Sequence, residues 1–264
     1  MKLSMTIYSM KQYFQQQKID VKGFIKFVAE LGHFSAVELG YYWKNEEKEL
    51  YMVNKWLNEY NLKLSGYIVG NDFAWFEDNR RREQINKVKH AIDCAYKLGT
   101  NIVRVFVGDI KEKINDYDDV KRLLIYTFLE ICDYAKNKNV ILAVENHGKL
   151  CAKYKQLLDL FLCIRAENMR FNIDIGNFLL VGESPVEAIP KLIDKCVLVH
   201  LKDYKKIGNE FVPCIIGEGD VNLKECLKIF KEYRYNGYFS LEYEAEEDAV
   251  IGIKKSLDNI LKLI

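Results

Sequence analysis

The chain is poor in several features that would each point to a different kind of protein. Its 264 residues contain no apolar run long enough to cross a bilayer, for which roughly 18 or more apolar residues are needed. Its start, MKLSMTIYSMKQYF, carries Lys11 but no long apolar stretch and no small-residue cleavage site, so neither a signal peptide nor a membrane anchor is expected. Charge of one sign is missing too: 39 Lys and Arg stand against 38 Asp and Glu, which leaves no global field to hold a polyanion such as nucleic acid. There is no CxxC. The seven cysteines, at 94, 132, 151, 163, 196, 214 and 226, are odd in number and mostly lie in apolar runs, which fits small packed hydrophobes in a reducing cytoplasm rather than a disulfide framework. A glycine-rich phosphate loop after the first apolar segment is also absent, which argues against a doubly wound dinucleotide-binding fold. A small-molecule partner is what these absences leave.

The most informative stretch that is present is VILAVENHG at 140–148. Five apolar residues that read as a buried strand run directly into Glu145, Asn146 and His147, side chains able to bind a metal or move a proton. The pattern recurs downstream. MRFNID ends at Asp174, CVLVH at His200 and YFSLE at Glu242. The separations are 29, 26 and 42 residues (174−145, 200−174, 242−200), and the first two are about the length of one βα unit.

Strand and helix patterns alternate along the whole chain. Strands are expected at 3–8, 36–39, 62–69, 102–107, 140–145, 169–174, 196–200 and 238–243. Helices with a 3.6-residue apolar stripe are expected from 20, 46, 79, 118, 154, 185, 223 and 247. Asp20 reads as an N-cap, Gly32 and Gly99 as helix stops, and Ser184-Pro185-Val186-Glu187 as a capping box with proline at the first helical position. The stretch from Asp203 to Asp220 reads as a long loop. Eight strands alternating with eight helices predict one (β/α)8 barrel spanning 1–264. In that fold every parallel strand ends on the same face, where barrel active sites are built. Residues two apart share a strand face, so Asn172 goes with Asp174, His147 with Glu145, Lys202 with His200 and Ser240 with Glu242. Val197, Val199, Ile173 and Leu241 then face the helices.

Glu145, Asp174, His200 and Glu242 therefore converge as a candidate metal site. Three carboxylates and one imidazole make a hard, oxygen-rich set that favours Mn2+, with Mg2+, Co2+, Zn2+ or Fe2+ as other occupants. Open coordination positions would take two oxygens of a hydroxy-ketone.

ENH at 145–147, DIGN at 174–177, HLKD at 200–203, GEGDVN at 217–222 and SLE at 240–242 resemble, in order, the motifs of the xylose-isomerase-like barrel superfamily. The resemblance spans the chain and is strongest to the sugar-phosphate isomerase/epimerase branch. It implies one divalent metal held by Glu145, Asp174, His200 and Glu242. It further implies that Glu145 and Glu242 act catalytically, trading a proton with a sugar or sugar-phosphate at the carbon beside its carbonyl, with an enediolate stabilised by the metal. Dehydration of an inosose-type keto-polyol is the alternative on the same scaffold, followed by a non-catalytic sugar-binding barrel. The abasic-site nuclease branch needs more histidines than the four present, at 33, 90, 147 and 200. The resemblance leaves the oligomeric state open, with a homodimer allowed. Two positions depart from the epimerase pattern: Asn177 stands where a substrate-binding His is common, and Lys206 where an Arg occurs.

His147, Asn177, Lys202, Arg104 and Glu38 are the expected substrate-binding residues. Each has a structural alternative. Lys202 would otherwise neutralise Glu145 or Asp203, His147 would make a structural hydrogen bond, and Arg104 and Glu38 would pair inside the barrel. The aromatic groups YYW at 41–43 and FAWF at 73–76 would wall the pocket or only cover the rim. His33 and His90 are expected on the surface.

Overall fold

A computed structural model describes residues 1–264. Eight parallel strands close a barrel: β1 (Lys2–Thr6), β2 (Ala36–Leu39), β3 (Lys63–Ile68), β4 (Ile102–Val105), β5 (Ile141–Glu145), β6 (Met169–Asp174), β7 (Cys196–Leu201) and, after the hairpin β8 (Tyr204–Ile207) and β9 (Glu210–Pro213), β10 (Tyr238–Leu241). Around the barrel the order is β1-β10-β7-β6-β5-β4-β3-β2. The expected (β/α)8 architecture is therefore the one observed.

Ten helices accompany the strands: α1 (Lys11–Gln15), α2 (Val21–Glu30), α3 (Glu46–Glu59), α4 (Asp78–Leu98), α5 (Lys121–Lys136), α6 (Tyr154–Ile164), α7 (Asn177–Leu180), α8 (Pro185–Leu192), α9 (Leu223–Glu232) and α10 (Ala249–Leu261). Two of them, the single-turn pieces α1 and α7, fall outside the eight expected from the apolar stripe. Asp20 caps α2 by accepting a hydrogen bond from Gly23 N at 2.8 Å, which satisfies one of the amides a helix start leaves without a partner. Gly99 ends α4 in the left-handed conformation, with φ at +78°. Pro185 does open α8, but the expected capping box does not form, because the Ser184 side chain makes no cap hydrogen bond. The segment expected as a loop at 203–220 is also different: β8 and β9 pair antiparallel across Gly208 and Asn209. No helix is long and apolar enough to cross a membrane.

A cluster of 73 buried apolar residues fills the layer between strands and helices, and it includes Ile173, Val199 and Leu241 as the parity argument requires. Val197 is half-buried and stays outside it. The barrel interior is packed differently. Towards the C-terminal ends it holds polar groups with no exposure: Glu38, Asn172, Asp174, His200 and Ser240. Lower down, the Ser4 and Ser65 hydroxyls bond to each other at 2.6 Å. Glu38, Asn172, Asp174 and Ser240 each keep one buried oxygen without a hydrogen-bond partner, an arrangement that costs stability.

Candidate active site

Glu145 and Asp174 end β5 and β6, His200 is the penultimate residue of β7, and Glu242 follows β10 directly. In the barrel order β5 and β10 lie three steps apart, so the two glutamates approach the axis from different sides. The donor atoms of all four residues lie within 4.8 Å of one another, and all four residues are buried. His200 Nδ1 is 2.9 Å from Glu242 Oε2 and 3.5 Å from Glu145 Oε2. Its other ring nitrogen, Nε2, is 3.1 Å from Glu38 Oε2. A ligand imidazole is commonly fixed in this way, by a carboxylate on the nitrogen facing away from the metal.

The carboxylate of Asp174 is divided in function. Its Oδ1 accepts from Gly176 N at 2.8 Å and Asn177 N at 2.9 Å. Its Oδ2 is buried with no hydrogen-bond partner, although Lys202 Nζ lies 3.2 Å away off the bonding direction. The turn that supplies those amides comes so close to β7 that a Cβ on Gly176 would sit 2.8 Å from the Lys202 carbonyl oxygen, so only glycine fits there. Glu145 is held by Asn172 Nδ2, which donates to Oε2 at 2.9 Å, and by Asn177 Nδ2, which donates to Oε1 at 3.3 Å. Arg104 Nε stands 3.2 Å from Glu145 Oε2, and its Nη1 donates to the Val69 carbonyl at 3.1 Å. The orphaned Asp174 oxygen, the converging donors and the fixed imidazole all fit a divalent cation; its identity is not set by them.

Electrostatics separates the two glutamates. Burial pushes Glu145 above the usual carboxylate range, against the opposing pull of His200 and Arg104. Burial acts on Glu242 in the same direction, but Lys202 and His200 outweigh it and hold Glu242 well below that range. Desolvation also raises Asp174, to about 6. His147 is pushed down to about 4, first by burial and then by Lys202 and Arg104, so it is a neutral donor and acceptor at physiological pH. Lys202 stays charged: burial disfavours its ammonium, but Asp174, Glu242 and Glu244 more than compensate.

A cavity of about 330 Å3 opens onto this cluster, lined by Tyr8, Tyr41, Tyr42, Arg104, Phe106, His147, Lys202, Glu242 and Glu244. Phe106 and His147 stack with ring centroids 4.0 Å apart, and the Arg104 guanidinium lies 4.0 Å over the Phe106 ring. The cavity thus has an aromatic wall and a charged floor.

The structure brings most of the expected residues together. His147, Lys202 and Arg104 line the cavity, and Asn177 bonds to Glu145. Glu38 is fully buried and backs His200. The expected Arg104–Glu38 pair does not form, since Arg104 partners Glu145 and Glu38 partners His200 instead. Lys202 neutralises neither Glu145 nor Asp203: its Nζ is 3.2 Å from each of Asp174, Glu242 and Glu244. The Asp203 carboxylate instead gathers the amides of Tyr204, Gly217, Gly219 and Val221 and ties the GEGDVN loop to β7. Asn146 lies on the opposite strand face from Glu145, bonds to Asp174's backbone and does not line the cavity. Tyr41 and Tyr42 line the cavity, whereas FAWF does not, and Lys206 is exposed on β8. His33 and His90 are exposed as expected. Sequence reasoning missed Tyr8, Phe106 and Glu244. Phe106 continues the inward parity of Arg104, which was the available signal; Tyr8, expected within the first strand, lies instead in a 3-10 turn at Ile7–Met10 just past β1, and Glu244 sits in an acidic run that reads as surface.

Barrel, mouth and side-chain cluster together define a (β/α)8 protein with a buried acidic and histidine group able to hold a metal. The chain belongs to the xylose isomerase-like TIM barrel family, whose profile matches residues 25–263. An inosose dehydratase of Clostridium botulinum is 22% identical over 253 residues, covering 84% of this chain and 80% of that protein. Among solved structures, a D-tagatose 3-epimerase-like protein superposes with a TM-score of 0.79 at 22% identity, over 99% of both chains. The IOLI protein with a bound zinc atom superposes at 0.81 and 18% identity, over 100% of this chain and 99% of that one.

Proposed function

We propose that this protein is a divalent-metal-dependent isomerase or epimerase of small sugars or keto-polyols that moves a proton at the carbon next to a carbonyl. The observation that carries the reading is the pair Glu145 and Glu242, set three strands apart and converging with Asp174 and His200 in one buried cluster at the barrel mouth. Two carboxyls that face one substrate from different sides can take and return its proton in turn. Glu145, Asp174, His200 and Glu242 would hold the cation, with Mn2+ the favoured occupant. When bound, the cation supplies positive charge to the oxygens that become negative as the proton leaves. Glu242 and Glu145 would take the proton from the carbon on one side and return one on the other, the order depending on which epimer is bound. Lys202 and Arg104 place positive charge at the cavity floor, and neutral His147 offers a hydrogen bond to a substrate hydroxyl. Tyr41, Tyr42 and Phe106 exclude water and pack against carbon-bound hydrogens.

Both cations at the cavity are already matched by carboxylates, Arg104 by Glu145 and Lys202 by three acids. Neither of these two is free for a phosphate, which favours an unphosphorylated substrate, and Lys11, 4.9 Å over the Tyr8 ring at the cavity edge, is the cation that a phosphorylated one would use. The relationship to inosose dehydratases supports a second reading, in which the same proton abstraction is followed by loss of a hydroxyl from the next carbon. The test is to incubate Mn2+-loaded protein in D2O with ketoses, inososes and their phosphates and to follow deuterium entry beside the carbonyl by NMR. Exchange with an unphosphorylated member is expected; its absence across the panel, with metal bound, contradicts the reading. Appearance of an unsaturated product selects dehydration.

A further inference from the structure

Outside the barrel, in the seam between α3 and α4, three side chains of different ligand type converge. Glu46 is the first residue of α3, placed there by the N-cap Asn45, whose Oδ1 accepts from Lys48 N at 3.1 Å. His90 and Cys94 lie four residues apart on α4 and so share one face of the helix. His90 Nε2 is 2.8 Å from Glu46 Oε2 and 3.5 Å from Cys94 Sγ. Cys94 Sγ is 4.0 Å from Glu46 Oε1. Behind them, Tyr67 OH on β3 donates to Glu46 Oε1 at 3.5 Å, and Trp43 Nε1 donates to Tyr67 OH at 3.2 Å.

We propose that Glu46, His90 and Cys94 form a second metal site, separate from the barrel mouth, that takes Zn2+ or a similar borderline-soft divalent cation and leaves its fourth position to water. A tetrahedral zinc with one sulfur, one nitrogen and one oxygen ligand has ligand-to-ligand edges of about 3.3–3.6 Å. The His90–Cys94 separation lies within that range, the two Glu46 distances fall on different carboxylate oxygens, and one donor atom from each residue lies within 4.8 Å of the others, so side-chain adjustment of Glu46 would bring all three donors onto one ion. A Glu46–His90 ion pair alone has no use for a thiol. Here the sulfur stands beside the same ring nitrogen and faces the other carboxylate oxygen. Thiolate and imidazole together select a softer ion than the oxygen-rich set in the barrel. The geometry has the two parts a site needs. Cys94 is 1% exposed, so the sulfur side is sheltered, while the His90 side chain is 59% exposed, so the ion has a way in. The Tyr67 hydroxyl fixes one Glu46 oxygen, as partners outside the ligand set commonly do. On binding, the Cys94 sulfur releases its proton to solvent and bonds the ion through the resulting thiolate. The site would clip the start of α3 to the middle of α4.

Co2+ is a direct probe, because a thiolate ligand gives a near-ultraviolet sulfur-to-cobalt charge-transfer band that oxygen and nitrogen ligands do not. The barrel mouth has no sulfur ligand, so the band is independent of whether that site binds metal or turns over substrate. Titration of the full-length protein with Co2+ should develop the band and saturate it by two equivalents, or by one equivalent in His200→Ala, where the barrel mouth no longer competes for the ion. Cys94→Ser should abolish it, and His90→Gln, at an exposed position, should weaken Co2+ binding at this site by 10-fold or more. Cys163→Ser, which removes the exposed thiol, and His200→Ala should leave it. Absence of the band in the unmodified protein, or its survival in Cys94→Ser, overturns the proposal.

Discussion

Asn146 holds Asp174 by its backbone and leaves its carboxylate to the site. From the end of β5 its Nδ2 donates to the Asp174 carbonyl at 2.8 Å, and its Oδ1 accepts from Asp174 N at 2.8 Å. Two neighbouring strands that separate as they leave the sheet are thus locked where their acidic side chains begin. The Asp174 carboxylate is then free to place one oxygen on backbone amides and the other towards Glu145, His200 and Glu242.

Replacing Asn146 with Ala is expected to loosen the ligand set without removing a ligand. It leaves a buried N–H and a buried carbonyl without partners, each worth about 1–3 kcal/mol, and the loss of an orienting contact typically lowers metal affinity about 10- to 100-fold. Chemical denaturation and Mn2+ calorimetry on the same variant read both quantities. Unchanged affinity would mean that the clamp serves stability alone.

Lys202→Met is expected to keep the metal and lower kcat/KM by about 10-fold or more, equivalent to about 1.4 kcal/mol of transition-state stabilisation. The ammonium touches Asp174, Glu242 and Glu244, so its loss should also make Glu242 a stronger base and shift the acid limb of the pH–rate profile upward. A normal rate with an unshifted limb would leave Lys202 as a structural charge.

The depressed His147 gives a pH prediction with a definite sign. The unfolded chain takes up a proton on this ring near its ordinary value of about 6.5, whereas the folded protein resists until about 4. The unfolded state therefore binds more protons in that interval, so the contribution of His147 is intact above pH 6.5 and is lost as pH falls towards 4. For a partly exposed ring the loss is about 2 kcal/mol. Measured against His147→Gln, the parent protein should lose this extra stability between pH 6.5 and 4. Parallel stability curves would contradict the assigned environment.

The barrel and the convergence of Glu145, Asp174, His200 and Glu242 were legible because a strand buried on both faces announces itself as an apolar run, and its end is marked where the run turns polar. Parity then fixed which neighbours face inward. Pairing among them was not legible. Arg104 and Glu38 both point into the barrel, but Glu38 is in register with Gly66 on β3 and Arg104 with Ile68, one inward layer higher, so each finds another partner. That offset follows from strand stagger, which no single sequence states. The β8–β9 hairpin was hidden for a different reason: most of its residues are exposed, so no buried face imprints a pattern of period two. Glu244 was missed because an acidic run reads as solvated surface until the chain is seen to fold back over Lys202.

The central claim, that Glu145 and Glu242 hold the metal and move the proton, is tested most directly by solvent-deuterium exchange in the single variants Glu145→Gln and Glu242→Gln. Glutamine preserves size and one ligand oxygen while removing basicity, and general-base assistance is typically worth about 10²- to 10⁴-fold. Each variant, assayed with Mn2+ content measured in the same sample, should retain much of its metal and lose exchange by that factor. If the reaction is an epimerisation, the two losses should fall on opposite epimers. Near-normal exchange in both variants, with metal bound, would contradict the account and move proton transfer to another group at the mouth, His147 or Lys202.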